Sequence, residues 1–309
     1  MEDERGFFIV SDDQTGERLD KLLSTHFYNH SRSYFQYLIE NGCVLVNGEK
    51  LKKRDKLKSG DEVEICFLLT PELSLEPENI PLEILYEDDH LLAINKPPHM
   101  VVHPAPGNPS HTFVNALLHH CKGLPIGSDR LRPGIVHRLD KETSGVLLAA
   151  KTSTAHCRLV DLFAQRKIEK HYLVICIGNP CETVIDEPIK RHPVQRKMMA
   201  VDPSGKPAIT HFAPIEVKEG LCLATIRLMT GRTHQIRVHL KHNGTPVLGD
   251  SLYGSLAMNK KWEAKRQLLH ARRLVFSHPV TDQLLDISAP VPNDFLKFFN
   301  RSLDYTQTT

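Results

Sequence analysis

His137-Arg-Leu-Asp140-Lys-Glu-Thr-Ser-Gly145 runs directly into Val146-Leu-Leu-Ala-Ala150. A polar turn carrying one carboxylate is thus joined to a continuous apolar run. A short run of this kind, next to turn residues, predicts a strand buried on both faces. Asp140 is bracketed by Arg138 and Lys141. Nearby positive charge favours the ionised form of a carboxyl even in a sheltered pocket, and such a group serves as nucleophile or base. No other segment of the chain looks as much like a reactive centre.

Outward from this turn the pattern is strand-rich. Glu83–Tyr86 and Leu91–Asn95 flank Glu-Asp-Asp-His and predict a hairpin. His171–Ile177, Ala208–Val217 and Leu221–Met229 read as strands, the last two joined at Glu219-Gly220. Leu269–Ser277 and Gln283–Ser288 read as a final strand pair. Residues 154–166 predict an amphipathic helix, and Thr233–His242 a second one ending near Asn243-Gly244. Hairpins outnumber β-α-β alternation, so the expected class is α+β with a largely antiparallel sheet.

Before residue 68 the pattern is different. Leu19, Leu22, Leu23 and Phe27 have helical spacing over 17–28. Ser31 is the expected N-cap of a second helix bearing Tyr34, Phe35, Leu38 and Ile39, with Gly42 at its end. Cys43-Val-Leu-Val46 reads as a short strand leading into an Asn47-Gly48 turn, and Gly60-Asp61 precedes a strand over Glu62–Phe67. Lys50, Lys52, Lys53, Arg54, Lys56 and Lys58 crowd one loop, opposed only by Glu49 and Asp55. Such density suits phosphate neutralisation with counterion release.

Bulk properties exclude several classes. The chain has 309 residues, enough for two domains, and a formal charge of only +2, so local clustering must carry any argument for nucleic acid. Seven cysteines without a C-x-x-C pair predict reduced thiols in a cytoplasmic protein. No signal-peptide pattern opens the sequence, and no apolar run approaches the roughly 18 residues of a membrane span. His119-His120 has no partners at metal-ligand spacing, so no metal is expected. Monomer is the default expectation.

Two resemblances organise these observations. Arg18-Leu-Asp-Lys-Leu-Leu, Ser31-Arg32, Ile39-Glu-Asn-Gly42, Val46-Asn-Gly48 and Gly60-Asp61 resemble the S4 RNA-binding domain across roughly 17–67. That resemblance implies that Arg32 and the basic loop face phosphates of structured RNA. His137-Arg-Leu-Asp140-x-x-Thr143-Ser-Gly145, Lys170-x-Tyr172 and Gly231-Arg-Thr-His-Gln-Ile-Arg237-Val-His239 resemble the RluA family of RNA pseudouridine synthases. Asn95-Lys-Pro97, Val101-Val-His-Pro104 and Leu248-Gly-Asp250 are further matches. The implied fold is a mixed α/β domain around a long antiparallel sheet, needing neither metal nor organic cofactor. The expected organisation is a lead segment 1–16, an S4-like domain 17–67, a linker 68–80, a catalytic domain 81–299 and a flexible tail 300–309.

The resemblance implies roles for named residues. Asp140 is the catalytic carboxylate, Tyr172 stacks on uracil, and Arg237 pairs with Asp140. Arg138 fills the gap left by the flipped nucleotide or contacts a phosphate. Arg232 is a rival to Arg237, but lies in the turn before the helix. Lys190, Arg191, Arg196 and Lys197 form a second basic stretch, resembling a family segment near bound RNA. His103, His137 and His239 are read as scaffold. His99 and His111 stand where the family usually has glycine. The reaction would break the uridine N1–C1′ bond, turn the uracil and rejoin it through C5. Whether the carboxylate attacks C1′, attacks C6 or removes a ribose proton stays open. Large-subunit rRNA is the expected target, with tRNA as the alternative. A silent RNA-binding assembly factor and an aspartate-dependent glycoside hydrolase, with Glu142 as a weak second carboxylate, are the rival readings.

Overall fold

The computed structural model describes residues 4–27, 32–67, 75–105, 108–125 and 132–299. Ser31, the start of the linker and the tail from 300 lie outside the described residues. The chain forms two compact units, Met1–Ser74 and Leu75–Thr309.

In the first unit, α1 (Leu19–His26) and α2 (Arg32–Glu40) accompany a three-stranded antiparallel sheet. Its strands are β1 (Glu4–Ile9), β2 (Val44–Val46) and β3 (Glu62–Phe67), in the order β1-β3-β2. β1 comes from the stretch read as a lead segment. Phe8 is buried and Phe7 exposed, the alternation of an edge strand. The apolar face of each helix meets β2 and β3 through Leu22, Leu23, Phe35, Leu38, Val44 and Val63. Asn47 and Gly48 both take positive φ, 52° and 79°, as a tight hairpin turn requires.

Asp20, fully buried, locks the two helices together. It accepts hydrogen bonds from Arg18, Arg32 and Gln36, at 2.7–3.1 Å. Burial alone would raise this carboxyl, but the donations from Arg32, Arg18 and Gln36 outweigh it and hold it below its ordinary range. A carboxyl depressed on folding stabilises above its unfolded pKa, and that contribution is lost as pH falls through the folded value. Asp20→Asn is therefore expected to cost the first unit about 1–3 kcal/mol at pH 7, with the difference shrinking under acid. Hydrogen exchange of α1 and α2 amides at pH 7 and pH 3 measures this; equal protection in both proteins at pH 7 would contradict it.

The larger unit is a sheet built from β4 (Ile84–Glu87), β5 (Leu91–Lys96), β6 (Ser144–Ala150), β7 (Glu169–Ile177) and β8 (Thr183–Asp186). Outside that sheet, β9 (Ile189–Arg191) and β10 (Met199–Val201) form a separate two-stranded ribbon. β11 (Ile209–Lys218), β12 (Leu221–Leu228), β13 (Leu269–Ser277) and β14 (Leu284–Ser288) complete the sheet. The order is β4-β5-β6-β13-β7-β12-β11-β8, with β14 on β13. Among the described residues, β6 and β13 pair in parallel, over two residue pairs, and the other strand pairings of this sheet are antiparallel.

Both faces of the sheet are covered, which explains why all seven residues of β6 are buried. One face carries Leu147, Tyr172, Val174 and Ala224 under α3 (Phe113–His120) and α5 (Gln235–His242). The other carries Val146 and Leu148 under α4 (Ser153–Ala164), and Leu173 and Leu223 under Phe295 and Phe299. The Asp140 turn therefore opens on the first face, between β6 and α5.

Candidate active site

Asp140 sits on the turn entering β6, and Gly145 sets how close that turn comes to the neighbouring strand. Gly145 has φ 110°, and a Cβ there would run into the Ala271 backbone carbonyl on β13. Glycine alone permits this approach. Behind the turn, Lys96 is completely buried and donates to the carbonyls of Pro97 (2.7 Å), Met100 (3.0 Å) and Lys141 (3.1 Å). Burial pulls its ammonium down to about 7 against the opposing attraction of Glu142. Gln267 donates to Thr143 Oγ1 at 2.6 Å, and Arg266 to the Glu142 carbonyl at 3.0 Å. The carboxylate is thus fixed by backbone held from three directions.

Arg237, on α5, provides the partner for Asp140. Its Nη1 donates to Asp140 Oδ2 at 2.8 Å. Its Nε and Nη2 grip Asp250 in a bidentate pair at 2.7 and 3.0 Å. Burial works against the guanidinium charge, but Asp250 and then Asp140 more than restore it, so Arg237 is held firmly protonated. Bidentate charge-assisted pairs fix orientation as well as charge. The sequence neighbours Arg138 and Lys141 do not fill this role. Lys141 turns to Asn108 (3.3 Å), and Arg138 is exposed at the mouth of the cleft. Arg232, the rival, donates to the Pro207 carbonyl at 3.1 Å.

Tyr172 lies on the β7 face that carries the site and is 9% exposed. It and Asp140 line the same cleft, with Arg138, Leu228, His234 and Leu269. Burial, and then the charge of Asp140, push its hydroxyl above the ordinary phenol range. It is therefore a neutral aromatic platform whose hydroxyl can donate a hydrogen bond.

Five histidines singled out by the sequence are placed as follows. His137 Nε2 accepts the Leu148 N–H at 2.8 Å and its ring stacks on Phe163; burial, with Lys170 adding to it, pulls its pKa down to about 3. His239 is buried between Thr210 Oγ1 and the Glu187 carbonyl, each at 2.9 Å. His120, which has no ligand-spaced neighbours in sequence, meets Glu87 and Cys121 in space, within 4.8 Å. There the Lys151 ammonium already neutralises Glu87, at 2.8 Å. His99 and His111 take φ of 69° and 58°, left-handed backbone that favours glycine. Each binds a carboxylate, Glu142 at 2.8 Å and Glu78 at 3.1 Å, which offsets part of the cost of a left-handed backbone.

In the first unit, Arg32 does not simply face solvent: it is committed to Asp20. Lys53 pairs with Glu40 at 2.6 Å. Lys50, Lys52, Arg54, Lys56 and Lys58 are exposed.

Asp250, Lys96, His234 and Tyr253 were not singled out by the residue pattern as site residues. The segments Asn95-Lys-Pro97 and Leu248-Gly-Asp250 marked two of them only as motif matches.

The cleft lies on the sheet face and brings an arginine-held carboxylate beside a buried tyrosine. The model of the RNA pseudouridylate synthase family matches residues 90–242, and that of the S4 domain residues 17–63. The chain is 43% identical over 296 residues to ribosomal large subunit pseudouridine synthase D of Pasteurella multocida, covering 92% of this chain and 90% of that protein. It is 42% identical over 300 residues to the same-named protein of Escherichia coli, covering 93% and 91%. Human RNA pseudouridylate synthase domain containing 1 superposes with a TM-score of 0.56 at 25% identity, covering 70% of this chain and 84% of that one. The chain belongs to the RNA pseudouridylate synthase family. It is an isomerase that converts uridine in RNA to pseudouridine, and it carries an S4 domain at its N-terminal end.

Proposed function

We propose that the chain modifies uridines of large-subunit ribosomal RNA, with Asp140 as the catalytic carboxylate. The observation carrying this reading is the 2.8 Å contact of Asp140 with Arg237 in the cleft that Tyr172 lines. Isomerisation needs a carboxylate beside the ribose and base, an aromatic face on which a freed uracil can turn, and walls that retain the base. Asp140, held by Arg237, supplies the first, Tyr172 the second, and Leu228 and Leu269 the third. Base stacking on an aromatic ring tolerates rotation, because it has no directional hydrogen bond. A target in folded RNA must leave its stack to reach this cleft; the proposed role of Arg138, exposed and lining the cleft, is to take up the vacated position or a phosphate. The names of the relatives support the ribosomal target. The test is to present unmodified large-subunit rRNA, small-subunit rRNA and tRNA transcripts to the protein and map pseudouridine. Discrete sites in the large-subunit transcript are expected. Modification confined to tRNA would overturn the target.

The basic loop is the proposed grip on RNA. Lys50, Lys52, Arg54 and Lys56 are the cations to test, since Lys53 is engaged by Glu40. Replacing all four with glutamine should weaken binding about tenfold or more at low salt. It should also flatten log Kd against log salt by roughly 0.7–0.9 per lost phosphate contact. Filter binding across a salt series measures both, and an unchanged slope would remove the loop from the contact.

A further inference from the structure

Arg237 occupies only one oxygen of Asp140, Oδ2. The other, Oδ1, faces His234 Nε2 at 3.9 Å. His234 is the residue through which the turn enters α5, and it takes left-handed backbone angles, φ 57° and ψ 18°. A non-glycine residue keeps that conformation only where its surroundings enforce it.

The imidazole is held from behind. Its Nδ1 lies 2.9 Å from Tyr253 Oη. That oxygen already accepts the Met199 N–H at 2.7 Å. Among the described residues, His234 Nδ1 is then the acceptor left for the Tyr253 hydroxyl proton. An Nδ1 that accepts leaves the proton of a neutral ring on Nε2, the nitrogen directed at Asp140. Tyr253 is itself buried, and the Arg237 guanidinium lies 4.9 Å from its ring centre. Burial holds the His234 imidazole below its ordinary range, against the attraction of Asp140, so the neutral form prevails.

We propose that His234 is a second positioning donor for Asp140: its Nε2–H closes onto Oδ1 when a uridine fills the cleft, and Tyr253 fixes the tautomer that makes this possible. The proposal rests on the reading of Asp140 as the catalytic carboxylate. Catalytic hydrogen bonds are commonly long before substrate binds and tighten in the complex, so 3.9 Å suits a contact completed on binding. With Arg237 on one oxygen and His234 on the other, the carboxylate loses its freedom to rotate. Its unshared lone pairs are then presented to the bound nucleotide. Met199 belongs to β10, so the ribbon that carries Lys190 and Arg191 is hydrogen-bonded to the residue that sets the tautomer.

Two substitutions at one position separate this role from a structural one. Asparagine accepts left-handed backbone and places its amide near the Nδ1 position, but is too short to reach Oδ1. Glutamine carries an N–H at about the reach of Nε2. On an unmodified large-subunit rRNA transcript, H234N should lower kcat about tenfold or more, with KM within about twofold of wild type. H234Q should recover most of the loss. Y253F should lower kcat about three- to tenfold, again with KM held. A kcat for H234N near wild type would overturn the proposal, as would H234Q performing no better than H234N, or a loss confined to KM. An Asp140→Asn protein as active as wild type would instead overturn the reading on which the proposal rests, and this proposal with it.

Discussion

Asp140→Asn is expected to abolish pseudouridine formation, by about a thousandfold or more, while RNA binding and thermal stability stay near wild type. Asparagine has the shape of the carboxylate but cannot act as nucleophile or base. Arg237 keeps its bidentate grip on Asp250 in the variant, so the buried guanidinium remains compensated. Asp140 is the partly exposed member of the network, at 20%, whereas Asp250 is fully enclosed. Loss of chemistry is therefore separable from loss of fold. The measurement is quantitative pseudouridine mapping of a transcript after incubation, beside filter binding and a thermal melt. Activity within about tenfold of wild type would remove Asp140 from the chemistry.

Asp250 shows the opposite balance. Its carboxylate accepts two bonds from Arg237 and one each from the Leu252 and Tyr253 backbone N–H groups, all within 3.0 Å. Asp250→Ala leaves a buried guanidinium facing only Asp140 and two N–H groups without an acceptor. Breaking a buried pair in this way costs about 3–5 kcal/mol, because one charge is left uncompensated. In a unit of this size that lowers Tm by roughly 6–20 °C. Activity falls with it, since Arg237 loses the partner that aims Nη1 at Asp140. Calorimetric melts of the two alanine variants make the contrast: Asp250→Ala strongly destabilised, Asp140→Ala close to wild type. Equal Tm values would mean that Asp250 does not anchor the arginine.

The chemistry of the site was legible because its residues lie in short contiguous motifs. Asp140, Tyr172 and Arg237 each sit in a local pattern, and β6 carries a short apolar run bounded by turn residues. What could not be read is what depends on contacts between distant segments. The charge flanking Asp140 in sequence offered Arg138 and Lys141, whose side chains diverge from the turn; the family resemblance, not local charge, named the partner Arg237, 97 positions away. The anchor Asp250 and the buried Lys96 stood out only as motif matches, because burial and convergence of donors leave no local trace. α5 begins at Gln235 rather than Thr233 because His234 takes a left-handed conformation that no periodicity reveals. β8, β9 and β10 have three or four residues each, too few to show alternation. β1 went unread because a single edge strand gains its identity from β3.

The measurement that bears most directly on the whole account uses RNA labelled with tritium at uridine C5. Rejoining uracil through C5 expels that tritium into water while the base stays attached to the chain. Wild-type protein should release one tritium per pseudouridine formed with no free uracil, and Asp140→Asn should release none. Free uracil in solution, or equal tritium release from both proteins, would contradict isomerisation centred on Asp140.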